Sequence, residues 1–213
     1  MKGIFPNIIM EVKIKMYIKK VYGYVLFERD LTFIYKGLLD TYDPPTTESK
    51  NWKHWVAHIT PTTCGLCRNL NGKIYSIRDI DFQEPPIHPN CRCEVLPMEA
   101  VIAGNATKDG KNGADFWMKY MGRLPDYYIS EKDLKALGWK EGKSPKKFAP
   151  GRMMTRGIYQ NRNKHLPDKL GRIWYEADIN YYEGKRNGHR LLWSNDGLIF
   201  VTYDHYGTFY EII

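Results

Sequence analysis

The C-terminal stretch from residue 172 onward constrains the fold most. "RIWYEADINYY" is followed by a Gly/Asn-rich turn at 183–188, then "RLLW", the turn "SNDG", "LIFVTY", the turn "DHYG" and "TFYEII". Short β-branched and aromatic runs, separated by a few turn residues, leave no room for helical crossovers and predict consecutive antiparallel strands. Two helical segments precede them. In "NGADFWMKYMG", Phe116, Trp117, Tyr120 and Met121 fall on one predicted helical face, closed by Gly122. In "SEKDLKALG", Ser130 is the predicted N-cap, Leu134 and Leu137 the apolar positions, and Gly138 the stop. Helices first and strands after predict an α+β fold, with helices packed on an antiparallel meander.

Upstream, "GNATKDGKNG" at 104–113 is small, polar and glycine-rich, which predicts a linker over 98–112. The expected organisation is therefore a small Cys/His-rich module over 1–97 and a second domain over 113–213. Within the first part, "EVKIKMYIK" at 11–19 alternates as a strand does. All four cysteines lie in "CGLC" at 64–67 and "HPNCRC" at 88–93. Cys64, Cys67, His88, Cys91 and Cys93 offer five candidates for the four places around a tetrahedral zinc ion, with His88 or Cys93 as the one left over. Two disulfides, or reduced thiols packed as small hydrophobes, are the alternatives. His54 and His58 in "NWKHWVAH" fall four apart on one helical face, a ligand spacing. Packing beside Trp52 and Trp55 is the preferred expectation, because no acidic third ligand accompanies them.

Charge narrows the function. The chain carries 32 basic against 24 acidic residues, a net charge of +8. Residues 111–213 hold 18 basic and 12 acidic side chains, so most of the excess sits in the C-terminal half. That favours polyanionic partners. No run of about 18 apolar residues exists to span a membrane. The N-terminus lacks a small-residue cleavage pattern, so no signal peptide is recognised.

"YEADINYYEGKRNGHR" at 175–190 concentrates the charge. On a strand, Glu176 and Asp178 share a face, and a hairpin through 183–188 returns Arg190 toward that face with Arg186 at its rim. Guanidiniums beside a carboxylate favour its charged form, and two planar forks match a phosphate. His205, on the "DHYG" turn, supplies an imidazole whose ordinary pKa near 6.5 suits proton donation. The set predicts phosphodiester cleavage by an internal nucleophile. Glu176 takes the proton of a ribose 2′-OH, Arg186 and Arg190 hold the phosphate, and His205 protonates the departing 5′ oxygen. No metal cofactor is needed for such a reaction, and single-stranded RNA is the implied partner.

Two resemblances extend these readings. "TTCGLCRNLNGKIY" followed by "PPIHPNCRCEVLP" resembles the end of the Mu F-like minor head proteins of tailed phages, which implies a delivery or packaging module and phage head components as possible partners. From about 113 to 213 the blocks "LPDYYIS", "ALGW", "APG", "YQNR", "LPDKLGRIW", "EADINY", "GKRNGHR" and "TYDHYGTF" resemble the barnase-like bacterial ribonucleases. The resemblance implies Glu176 as general base, His205 as general acid and Arg186 and Arg190 as phosphate ligands. It makes Asp178 the buried tether of those arginines, and Arg172 with Asp196 a structural ion pair. Tyr159 and Tyr206 line the substrate cleft, while Gln160, Asn161, Arg162 and Asn163 begin the loop that reads guanine. It further implies a toxin role, an acidic barstar-like inhibitor and export from the cell, while free metal-ligand cysteines favour assembly in a reducing cytosol beforehand. Three positions depart from the family pattern. Glu131 stands where the family has an active-site lysine, with Lys132 beside it. Gly157 replaces that lysine's acidic partner, which leaves Arg156 as the expected substitute charge. Asn163 replaces the acid at the guanine edge, which implies weaker guanine discrimination.

Overall fold

The computed structural model describes residues 42–181 and 186–213, so the strand expected at 11–19 lies outside the described residues. Nine strands among the described residues form one mixed sheet in the order β2-β1-β3-β9-β8-β7-β6-β5-β4. The strands are β1 Thr46–Ala57, β2 Ile74–Ser76, β3 Cys93–Val101, β4 Tyr128–Ser130, β5 Met153–Tyr159, β6 Trp174–Asp178, β7 Arg190–Ser194, β8 Ile199–Thr202 and β9 Tyr210–Ile212. Three short helices accompany them: α1 Gly65–Leu70, α2 Ala114–Met121 and α3 Glu131–Ala136. The class is α+β, and β5 to β9 run antiparallel in chain order as the turn spacing predicts.

Alternation along the strands sorts the two faces. Leu191 and Val201 point to one core with Val101, Ala114, Met118 and Ile212. Trp174, Leu192 and Phe200 point to the other, with Ile74, Met98, Leu166 and Phe209. Each fully buried Leu or Phe contributes about 1.5–3 kcal/mol relative to exposure. In register, Glu176 faces Leu192 and Asp178 faces Arg190, so the charged positions continue the second face beyond its apolar end.

The segment with His54 and His58 corrects the helical expectation. Residues 46–57 are β1, paired with β2 on one side and β3 on the other. Non-local pairing overrides the local helical spacing. Trp55 is buried, while His58 pairs with Glu94 at 3.4 Å, and neither histidine belongs to a group of potential metal ligands.

The meander does not end at an open edge. β3 runs parallel to β9, matching Ala100 to Glu211 and Val101 to Ile212. That pairing covers what would be a ladder of unpaired backbone groups, and the Glu211 carboxylate adds a link to β1, accepting from Ser49 Oγ at 2.6 Å and Asn51 Nδ2 at 2.8 Å.

The stretch expected as a linker is built around one carboxylate. Met98 to Val101 belong to β3, and Ala106 and Thr107 are buried. Asp115 accepts from the N–H groups of Gly104 (2.7 Å) and Ala106 (2.9 Å) and from Thr107 Oγ1 (2.8 Å). A Cβ on Gly113 would lie 1.7 Å from Thr107 Oγ1, so only glycine permits this approach. The anchor also resets α2, whose buried residues are Ala114, Asp115 and Met118, while Tyr120 and Met121 are exposed. The aromatic face is thus not the buried one, because satisfying Asp115 fixes the helix rotation. In α3, Ser130 Oγ accepts from Asp133 N at 3.0 Å as a capping residue should, and Leu134 is buried. Leu137 is exposed, one position past the helix end.

Candidate active site

β6 and β7 deliver the charged residues. Asp178 is fully buried, and Arg186 donates to both its oxygens, Nε at 2.5 Å and Nη2 at 2.6 Å. Arg190 lies on the opposite strand with Nε 3.1 Å from Asp178 Oδ1, an ion pair without hydrogen-bond geometry. Its Nη1 donates to the carbonyls of Asn187 (2.9 Å) and His189 (2.6 Å). One buried carboxylate thereby fixes two guanidiniums. Burial alone would push both arginines down, and it does so for Arg190. For Arg186 burial is outweighed by the hydrogen bonds it donates to Asp178 and by that carboxylate's charge, and the pKa is raised. Two positive charges on one aspartate leave the cluster with a net positive charge.

Glu176 is buried two residues earlier on the same face and accepts a short hydrogen bond from Tyr206 Oη. The Tyr206 ring stacks on Tyr159 at 5.0 Å between centroids and 24° between planes. Burial, then the Glu176 charge, pushes the Tyr159 phenol up to about 12. Burial and the bond to Glu176 raise Tyr206 as well, so both rings remain neutral donors. A cavity of about 320 Å³ lies beside them, lined by residues 158–163 with Glu176 and Tyr206. The sequence-predicted base and the predicted loop therefore share one cleft.

His205 sits at the mouth on a strained turn, with φ of +60° followed by +72° at Tyr206. Asp204 Oδ1 holds that turn, accepting from Thr202 Oγ1 (2.9 Å), Gly207 N (3.0 Å) and Thr208 N (2.9 Å). Gly188 lets it approach the hairpin: His205 N donates to Gly188 O at 3.2 Å, and a Cβ there would lie 3.2 Å from His205 Cβ. Partial burial holds the His205 pKa below its ordinary value, and the charges of Arg190 and Arg186 push it the same way, against Glu176. Neither arginine nor His205 lines the cavity itself; the Tyr206 ring, 4.8 Å from that of His205, joins the two parts.

The loop residues divide. Asn161, with φ of +43°, spends its side chain on Leu166, donating to the carbonyl (2.9 Å) and accepting from the amide (3.2 Å). Its side chain is thereby committed to the loop's own backbone. Asn163 pairs with His165 Nδ1 at 3.0 Å, while Gln160 and Arg162 are exposed. Where the sequence departs from the family pattern, Arg156 does not stand as a free charge. It meets Glu131 at 3.3 Å and Glu141 at 2.7 Å, and Lys135 holds Glu131 at 2.7 Å. Lys132 is exposed. The Glu141 contact and the Asp204 clamp were not foreseen from the sequence, although an aspartate opening the "DHYG" turn was a signal for the latter. Arg172 donates to Asp196 through Nε (2.9 Å) and Nη2 (2.8 Å).

A carboxylate, an imidazole on a clamped turn and a pair of fixed guanidiniums can together remove a proton, return one and hold an anion. Known proteins match in the same places. A family model described as ribonuclease matches residues 118–213, and one described as Phage Mu protein F like protein matches residues 26–96. A ribonuclease of Heyndrickxia coagulans is 46% identical over 100 residues, which is 46% of this chain and 91% of that protein. Ribonucleases of Bacillus intermedius and Bacillus pumilus are each 46% identical over 100 residues, again 46% of this chain but 61% of their own length.

Proposed function

The chain belongs to the ribonuclease family, and from that premise we propose an endoribonuclease that cleaves single-stranded RNA by transesterification. The arrangement that carries the proposal is Glu176 buried in an aromatic cleft beside the Arg186–Asp178–Arg190 cluster. Glu176 accepts the proton of a ribose 2′-OH, whose oxygen bonds to phosphorus. The bond from phosphorus to the 5′ oxygen breaks, and His205 gives that oxygen its proton. The product is a 2′,3′-cyclic phosphate. Water then opens the ring with the roles reversed, His205 accepting and Glu176 donating. Arg186 and Arg190 stabilise the charge that grows on the phosphoryl oxygens. Tyr159 and Tyr206 offer stacking surface for a base, and residues 160–163 select it. With Asn163 neutral, guanine is preferred less sharply than by an acid, since charge assistance is lost.

Following the family resemblance, the activity serves as a toxin carried behind a phage-derived module, in a chain exported or phage-associated. An acidic barstar-like inhibitor covers the basic cleft in the producing cell. A structural nucleic-acid-binding role in a phage head is favoured only by the match at 26–96. One digestion separates the two. The full chain, in buffer without added metal, is incubated with a defined RNA beside Glu176→Ala and His205→Ala, and the ends are analysed by mass spectrometry. Cyclic-phosphate ends that disappear in both variants, and at any site made 2′-deoxy, are expected. RNA left intact by the native chain but bound in a salt-sensitive way would overturn the proposal in favour of the binding role.

A further inference from the structure

The corner formed by α1, residues 77–92 and the start of β3 gathers more soft ligands than its packing uses. Cys64 caps α1, its Sγ accepting from Cys67 N at 3.4 Å. His88 Nε2 lies 3.3 Å from Cys64 Sγ and 3.0 Å from Cys67 Sγ, and Cys91 Sγ lies 3.9 Å from Cys67 Sγ. The other ring nitrogen, His88 Nδ1, sits 2.8 Å from Pro89 O. A carbonyl only accepts, so Nδ1 carries the proton and Nε2 turns its lone pair toward the sulfurs. Tetrahedral Zn–S bonds of about 2.3 Å place two sulfurs about 3.8 Å apart, near the 3.9 Å between Cys67 and Cys91, whereas a disulfide needs about 2.05 Å. A cavity of about 460 Å³ opens beside the exposed Cys64 and gives an ion a way in.

The corner's fully buried core is small, Trp55, Ala57 and Cys67, with Phe82 and Ile87 half-buried against it, and residues 77–92 contain no helix or strand. Yet the chain leaving α1 supports the cleft. Ile74 N donates to His165 O at 2.9 Å, and Gly72, with φ of +79°, approaches so closely that a Cβ would lie 3.1 Å from the His165 ring. His165 in turn pairs with Asn163.

We propose that Cys64, Cys67, His88 and Cys91 bind one zinc ion, and that this staple holds residues 72–74 against the 161–166 loop of the cleft. Cys93, the first residue of β3, has its sulfur within 4.8 Å of those of Cys67 and Cys91 and is assigned as the neighbour left over. The description of 161–166 as a base-reading loop rests on the proposed ribonuclease function; the metal site does not, and its tests need no RNA. Elemental analysis of the purified full chain is expected to find one zinc, retained in Cys93→Ser and lost in Cys67→Ser and His88→Ala. Cobalt substitution is expected to give the visible absorption of a tetrahedral thiolate site. Stripping the native protein with a chelator is expected to speed amide exchange at Ile74 and across 161–166, and zinc to restore it. A zinc-free protein that takes up no cobalt, a mass lowered by disulfide formation, or full zinc in His88→Ala overturns the site. Unchanged exchange after stripping overturns its support of the loop.

Discussion

The two ends of the sheet solve the same problem with different means. Around β6 to β8 the face beneath the cleft is thick with apolar side chains, and Trp174, Leu192 and Phe200 are all buried. That packing can sustain a buried aspartate and a buried arginine, a combination whose desolvation is costly unless each charge is paired. At the other end, beyond β1, three buried residues form the core, and thiols with one imidazole stand where side-chain volume is short. A large core can hold charges still for chemistry, while a small one needs cross-links or a metal to hold itself.

The contrast breaks most visibly at the cleft mouth. His205 is exposed, so His205→Ala should leave the unfolding midpoint nearly unchanged while lowering RNA cleavage about 10²–10⁴-fold, measured by the initial rate on a defined substrate. Asp178→Ala should do the opposite in kind. It leaves Arg190 buried without its counter-charge and should cost about 3–5 kcal/mol in urea unfolding, with cleavage lost as Arg186 is released. If Asp178→Ala unfolds like the native chain, the buried cluster is not what the meander core sustains.

Smaller effects sharpen the picture. Asn163→Glu should raise guanine discrimination by about 1–3 kcal/mol, read as the ratio of cleavage rates after guanine and after the other bases. His205 must be protonated to donate, and partial burial, with the charges of Arg190 and Arg186, holds its pKa below the ordinary value. The alkaline limb of kcat/KM is therefore expected below pH 6.5, and a limb above that value would count against His205 as the acid. The smallest effect belongs to the surface. Asp196 is held at about 2 by the Arg172 hydrogen bonds. A depressed carboxylate pKa contributes stability present above its unfolded value near 3.9 and lost as pH falls toward 2. Because Asp196 is partly exposed, Asp196→Ala should cost under about 1 kcal/mol at neutral pH, and that cost should fade as pH drops through the folded-state value.

Much of this was legible in one dimension because it depends on near neighbours. The period-two runs and turn residues of 172–213 specify hairpins whose partners are the next segment along, and Ser130 caps a helix through an amide three residues away. Glu176 and Asp178 share a face because strands alternate. The gathering of Cys64, Cys67, His88, Cys91 and Cys93 was visible in their spacing, and the fold brings them into two groups that share Cys67.

Tertiary structure decided what depends on distant partners. Residues 46–57 become a strand only because β2 and β3 flank them, and β9 is covered only because β3 lies alongside. The rotation of α2 follows from the amides that Asp115 must satisfy, and Arg156 is neutralised by carboxylates 25 and 15 positions earlier. A local pattern encodes preference for a conformation, but pairing, burial and charge compensation are settled among groups that meet only when the chain has folded.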